Sequence, residues 1–371
     1  MNPRLYPLLL IALARLGLPL ACTAHPLDLW SPRCTNFLGV LGFQSAAYGN
    51  GTFVAAGGAA SIAYSSNGAP WTRISPTNKT LLSVAFGGGK FVAVGDSGLI
   101  LTSSNGINWD DHSTSNSIYL RKIAYGNSRF VAMGYTISPA LDYTVVSTDA
   151  VTWTTNYLAS NKTGGAMTFG NGLFVYPVGI GTNLLSADGL NWTPSLTGLT
   201  NDIYMIGSGV NSLVIFDIHN RTYGSADGTN WALLGTNSLL RPEGLAYGNG
   251  YWLAVGRDVK AQYSTDLVKW TSVTNNGTMA YGITFGNGTF VTVNTTIYQS
   301  APIITLQALA GLPGAFNLSG PTGVTYQIQA ADTLNDTNWQ TIDSFTPVTS
   351  PALWIDPDTS APQKFYRALL P

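Results

Sequence analysis

Charge is what this chain lacks most. Of its 371 residues only 9% are Asp, Glu, Lys or Arg, against about 25% in an ordinary globular protein. Glutamate is nearly missing, and Glu243 stands alone. That scarcity excludes coiled coils and long surface helices, which need Glu and Lys on their solvent faces. Net charge is −1 and no basic run occurs, so a nucleic-acid interface built on phosphate contacts is excluded. Three His and two Cys leave little for a transition-metal site. Beyond the N-terminus no segment is long and apolar enough to span a bilayer.

Gly fills part of the gap, with 41 residues, alongside Ser, Thr and Asn. Hydrophobic residues make up 45%, so a core is available and intrinsic disorder is excluded. The balance suits an all-β, loop-rich exported protein, and the length suits two or three domains.

Residues 1–24 read as a signal peptide. Arg4 gives the positive start, Leu5 to Ala14 the apolar stretch, and Ala21, Cys22 and Ala24 the small residues at a cleavage site. Cleavage is expected after Ala24, with Ala21 as the alternative. Loss of Arg4 and Arg15 then leaves 15 basic and 18 acidic residues. Cys22 offers a lipoprotein alternative, although Pro19 stands where a lipobox carries Leu. Cys34 reads as a small buried hydrophobe. The expected location is secreted, periplasmic or cell-surface.

A repeat dominates the rest. Its first half is aromatic-Gly-Asn-Gly-x-aromatic followed by Val-Ala-Val-Gly or a variant. Copies stand at Tyr48–Phe53, Phe86–Phe91, Tyr125–Phe130, Phe169–Phe174, Tyr247–Trp252 and Phe285–Phe290, with a degenerate one at Ile206–Leu213. Its second half, Ser-x-Asp/Asn-Gly-x-x-Trp, ends at Trp71, Trp109, Trp153, Trp192, Trp231 and Trp270, at intervals of 38, 44, 39, 39 and 39. Asn-Gly between apolar runs signals a hairpin. The Phe-Val-Ala-Val run is apolar on both faces, as a strand buried on both sides is. In Ser-Ala-Asp-Gly the Asp side chain holds the turn and Gly takes the left-handed position.

Each unit of about 40 residues therefore yields four short strands, the pattern of a β-propeller blade. Seven first halves meet only six second halves downstream. Trp30 lies 41 residues before Trp71, so the N-terminus is expected to supply the outer strand of the seventh blade and close the ring.

At its Ser-Ala-Asp-Gly-x-x-Trp copies the chain resembles Asp-box (BNR-type) β-propellers, which include sialidases, some glycoside hydrolases and photosystem II assembly factors. The spacing is one residue shorter than the usual Asp box. In that family the box is a structural turn, so the resemblance implies that Asp149, Asp188, Asp227 and Asp266 are not catalytic. The sialidase Arg-Ile-Pro signature is absent.

After Ser300 the repeat stops. Short alternating segments punctuated by Gly and Pro fill Ala301–Pro371, which reads as a small β-sandwich. Tyr326–Ala331, Trp339 and Phe365-Tyr366-Arg367 resemble a fibronectin-III-like C-terminal module of secreted bacterial proteins, there an accessory or surface-association domain. The expected organisation is thus all-β: a signal peptide over 1–24, a seven-bladed propeller over 25–300 and a β-sandwich over 301–371.

The resemblance places binding on one face, at loops joining second and third strands and loops between blades. The repeat register assigns Asp96, Asp142, His219, Arg221, Arg257, Asp258 and Lys260 to the former, and Asp110, Asp111, His112, Arg121, Arg241 and Glu243 to the latter. Asp96, Asp142, His219, Arg221, Arg241, Glu243, Arg257, Asp258 and Lys260 are the candidate ligand-binding residues. The plainer reading is that loops carry the charge because the strands are buried. No nucleophile, acid–base pair or metal cluster stands out, so no catalytic residue, metal or cofactor is expected. The expected function is non-catalytic binding or scaffolding for a glycan or an envelope or extracellular protein, by a monomer. The alternative is a propeller-type carbohydrate-active hydrolase or lyase, with Glu243 and a nearby Asp as its carboxylate pair.

Overall fold

The computed structural model describes residues 25–34, 42–114, 116–158, 166–236, 242–256, 261–273, 280–310, 312, 314–331, 339–357 and 364–370. The signal-peptide expectation, Cys22, and the candidates Arg241, Arg257, Asp258 and Lys260 lie outside them. The chain divides into two compact units, one of Leu27–Gly286 and Phe290–Ser300, the other mainly of Ala301–Pro371.

The larger unit is built from four-stranded antiparallel sheets, all but one in simple up-and-down order. The first is typical: Phe43–Gly49, Thr52–Gly57, Ser61–Ser65 and Thr72–Ile74. Seven such sheets occur among the described residues. Their first strands are Phe43–Gly49, Leu81–Gly87, Tyr119–Gly126, Thr168–Gly170, Ile203–Gly209, Pro242–Gly248 and Gly282–Gly286. These strands neighbour one another in that order, and the last returns to the first. The second strands are the most deeply buried: Phe53 to Gly57 and Phe91 to Gly95 are buried without a break. That explains why their sequences lack polar alternation.

The seventh sheet takes its outer strand from the N-terminus, where Trp30–Cys34 pairs antiparallel with Ile297–Ser300. Trp30 Nε1 donates to the Leu27 carbonyl at 2.6 Å. The same bond to the residue three before recurs at Trp71, Trp109, Trp192, Trp231 and Trp270. The N-terminal Pro26–Asp28 turn thus does for the last sheet what the Ser-x-Asp-Gly turns do elsewhere.

Those turns follow one plan. Ser186 Oγ accepts from the Gly189 amide and donates to Asp188 Oδ1. Asp188 Oδ1 also accepts from the amides of Leu190 and Asn191. Burial pushes the Asp188 pKa up, but the donors at Asn191, Leu190 and Ser186 outweigh it and hold the carboxyl well below its usual 3.8. Asp149 and Asp227 are lowered in the same way, mainly by backbone amides. Because the folded pKa lies below the unfolded one, the stabilisation is complete above about pH 4 and is lost as pH falls below it. Two turns carry Asn67 and Asn105 instead and cannot titrate. We expect Asp188→Asn to change stability at pH 7 by less than about 1 kcal/mol. It should also weaken the loss of stability between pH 4 and pH 2. Urea unfolding of both chains at each pH checks this.

What joins most sheets to the next is the first glycine of the aromatic-Gly-Asn-Gly copies. Gly49 lies beneath the Phe86 ring, Gly87 beneath Tyr125, Gly126 beneath Phe169, Gly248 beneath Phe285, and Gly286 beneath Tyr48, which returns the ladder to its start. The Asn beside it adds a polar tie. Asn50 adopts positive φ and its amide donates to the carbonyls of Gly89 and Ser104 in the next sheet. Asn127 repeats the bridge to Gly172 and Ala187.

The smaller unit has two three-stranded sheets, one of Thr305–Ala308, Ala315–Ser319 and Ala352–Ile355, the other of Gln340–Phe345, Tyr326–Ala331 and Phe365–Leu369. Leu306, Phe316, Leu318, Tyr326, Ile328, Trp354 and Ala368 share one core. Asp356, buried at its edge, accepts from Tyr366 Oη at 2.6 Å and from Lys364 Nζ at 3.2 Å.

Candidate functional site

In the larger unit the start of each first strand pairs with the end of the second, as Phe43 does with Gly57 and Leu81 with Gly95. These starts and the turns between second and third strands therefore share one face. The ladder register slips there in sheet after sheet. The slip falls at Gln44 between Phe43 and Ser45, at Leu82, at Arg121, at Tyr204 and at Glu243. Each skipped residue is a β-bulge, which releases one residue from the ladder and re-aims its side chain. Gln44, Leu82, Arg121 and Glu243 stand four residues before the aromatic of the first-half motif, as does Tyr281 at the seventh sheet. Tyr204 stands four before Ser208, where its degenerate copy has no aromatic, and the fourth sheet's counterpart lies outside the described residues.

Gln44, Leu82, Arg121, Tyr204, Glu243 and Tyr281 all line one cavity of about 390 Å³. Lys122, Ala166 and Met205 also line it. Below it, Ser45, Ser83, Thr168 and Ser208 line a further cavity of about 210 Å³. The mouth is thus made of the residues in which the sheets differ, on strands that otherwise repeat.

Its charges are few and mutually adjusted. Tyr204 Oη donates to Glu243 Oε1 at 2.7 Å. Arg121 is exposed, with its guanidinium 5.9 Å from the centre of the Tyr135 ring, and Tyr135 stacks on Tyr119. Lys122 is pushed below the usual ammonium range by burial, with the Glu243 charge opposing that shift and Arg121 adding to it. A lysine depressed in the fold is better protonated in the unfolded chain. Stability therefore rises with pH as it climbs from the folded pKa towards 10.5. We expect Lys122→Met to remove that alkaline rise and to raise stability at neutral pH by about 1 kcal/mol. Thermal melts of both chains between pH 7 and pH 10 decide it.

The nine sequence candidates fare differently. Glu243 lies in the mouth. It belongs to the first strand Pro242–Gly248, and Arg121 to Tyr119–Gly126, so neither is in a loop between sheets. The reason is that these strands start earlier than the apolar pattern suggests, because the bulge interrupts their alternation. Asp96 opens the Asp96–Gly98 turn and Asp142 is buried within Leu141–Ser147. His219 and Arg221 are engaged locally. Asp217 accepts from both of their backbone amides, and from Arg221 Nε at 2.7 Å. Burial pushes Asp217 up, but these donors bring it below its usual range. The structure gathers Glu243 with Gln44, Leu82, Arg121, Lys122, Tyr204 and Tyr281, and does not place Asp96, Asp142, His219 or Arg221 on that lining. Sequence reasoning missed Gln44, Leu82, Tyr204 and Tyr281. The available signal was a position, four before the aromatic in most copies, at which the residue type changes from unit to unit while its neighbours recur.

No protein-family model and no curated protein sequence matches the chain. Solved structures do. A structure described as YCF48 bound to D1 peptide superposes with a TM-score of 0.60 at 15% identity, covering 76% of this chain and 97% of that one. YCF48 from Cyanidioschyzon merolae gives 0.55 at 15% identity, over 73% of this chain and 98% of that one. A computationally designed protein, Ika8, gives 0.50 at 10%, over 73% of this chain and 99% of that one. The fold is a β-propeller. At such identities the likeness concerns fold alone. Among the described residues no helix is long and apolar enough to cross a membrane.

Proposed function

We propose that this chain is an exported, non-catalytic binding propeller that holds an extended segment of a partner protein at the mouth of its ring. On this reading the seven sheets are seven blades, and the N-terminal strand closes them. Residues 301–371 form an accessory β-sandwich of fibronectin-III type, and residues 1–24 are the export signal. The Ser-x-Asp-Gly-x-x-Trp turns are Asp boxes shortened by one residue.

The observation that carries the reading is the set of bulges. Side chains of five kinds from six sheets, five of them at bulges, converge on one cavity, on strands that are otherwise near copies. Uniform scaffold with variable rim is how recognition is built on a rigid frame. A protein segment suits the rim because it mixes aromatic, apolar and charged groups. The similar structure described as YCF48 bound to D1 peptide supports a protein partner. The hydrolase alternative needs two carboxylates flanking one bond. Among the described residues lining the mouth Glu243 is the single carboxylate, and its Oε1 accepts from Tyr204.

Residues 25–371 probed against parallel arrays of extended peptides and of glycans test the proposal. Retention by peptides, abolished by Tyr204→Ala with Glu243→Gln and unaffected by Asp96→Asn, is the expected result. Retention or cleavage of glycans with silence on peptides would overturn it.

A further inference from the structure

The cyclic order of the first strands fixes the order of charges around the mouth. Tyr204, Glu243 and Tyr281 come from three consecutive sheets, the fifth, sixth and seventh, and so form one arc. A carboxylate between two aromatic side chains is the chemistry that takes an ammonium or guanidinium, through an ionic hydrogen bond and cation–π attraction. Arg121 and Lys122 come from the third sheet, with Leu82 beside them from the second. Both arcs line the same cavity, so one short segment can meet both. A cavity of about 390 Å³ admits a few side chains and not a folded domain.

Resting on the reading above, we propose that the segment held at the mouth is dipolar. It sets a basic side chain against Tyr204, Glu243 and Tyr281, and an acidic one against Arg121 and Lys122. A purely acidic ligand would face Glu243, and a purely basic one would face Arg121 and Lys122. Only a segment with both signs meets an opposite charge on each side, and like-charge encounters suppress the rest.

Four peptides of one length test this, alike except at two positions that carry Lys and Glu, Lys and Gln, Gln and Glu, or Gln and Gln. Fluorescence anisotropy titrations against residues 25–371 give the affinities. The Lys and Glu peptide is expected to bind about tenfold more tightly than either singly charged one, the effect of one ionic contact. Glu243→Gln should abolish the preference for Lys and keep that for Glu. Arg121→Gln, an exposed position, should do the reverse. If Glu243→Gln fails to fold, Tyr281→Ala carries the same expectation for Lys. Equal affinity of all four peptides for the unmodified chain overturns the dipolar proposal and leaves peptide binding intact. A preference for a singly charged peptide overturns it as well. Absence of binding by every peptide, with glycans retained, overturns the peptide reading itself.

Discussion

Gly87→Ala is expected to destabilise the larger unit by about 3 kcal/mol, the upper end of the usual penalty for overpacking. A Cβ at Gly87 would sit 2.0 Å from Cγ of Tyr125, which belongs to the next sheet. The ring cannot withdraw easily, because it is packed against Phe130 at 4.7 Å between ring centres. The same clash recurs at Gly49, Gly126, Gly248 and Gly286, so one added methyl pries apart two sheets of a closed cycle. The two sites are coupled. With Tyr125→Ala already present, Gly87→Ala should cost far less, and a double-mutant cycle should show an interaction of about 1–3 kcal/mol. Gly170 gives the internal contrast. The next sheet offers it Ser208 and Leu213 where Gly49, Gly87, Gly126, Gly248 and Gly286 meet an aromatic ring, so Gly170→Ala should be the mildest of these six. Chemical unfolding of the set decides the matter, and equal losses at Gly87 and Gly170 would refute the ladder.

Deleting residues 25–34 is the second substitution of large effect. It removes Leu27, which is fully buried, and half-buried Trp30. It also strips the partner of Ile297–Ser300, leaving the seventh sheet with an open edge. Loss of one buried aliphatic side chain and one aromatic amounts to about 4–6 kcal/mol. At roughly 2–3 °C per kcal/mol for a unit of this size, the melting midpoint should fall by about 10 °C or more. A free peptide of residues 25–34 should restore much of it by strand addition. A shortened chain that melts at the original temperature would show that Trp30–Cys34 does not close the ring. Trp30→Ala is the finer probe. It removes the side chain that donates to the Leu27 carbonyl while leaving the backbone ladder in place, and should cost less than the deletion.

These effects separate what a repeat reveals from what it hides. The turns were legible because their chemistry is local. Asn50 and Gly51 both adopt positive φ, and Asn-Gly is chosen for that conformation within two residues. The Ser186–Asp188 turn closes on itself within six residues, so its motif can be read wherever it stands. Trp30 was legible as the missing outer strand by counting alone, and it pairs with Ser300.

The sheet-to-sheet ladder was not legible in the same way. Gly49 looks like part of the hairpin signal, yet it seats Phe86, 37 residues away, and nothing near Gly49 says which ring will cover it. The mouth was hidden for a further reason. A bulge has no residue preference that could mark Gln44, Leu82, Arg121, Tyr204 and Glu243 as equivalent; it is defined by the register of a partner strand. Charge scarcity drew the reading towards loops such as Asp217–Arg221, where the structure shows Arg221 and Asp217 holding each other.

By itself, then, the sequence determined the class of fold, the repeat unit and its turns, because each depends on contacts within about 40 residues that recur often enough to be seen. Tertiary structure alone decided which side chains meet. Closing the ring brings residues from every quarter of the larger unit to one mouth, and that convergence depends on register and bulges, which no single stretch of chain encodes.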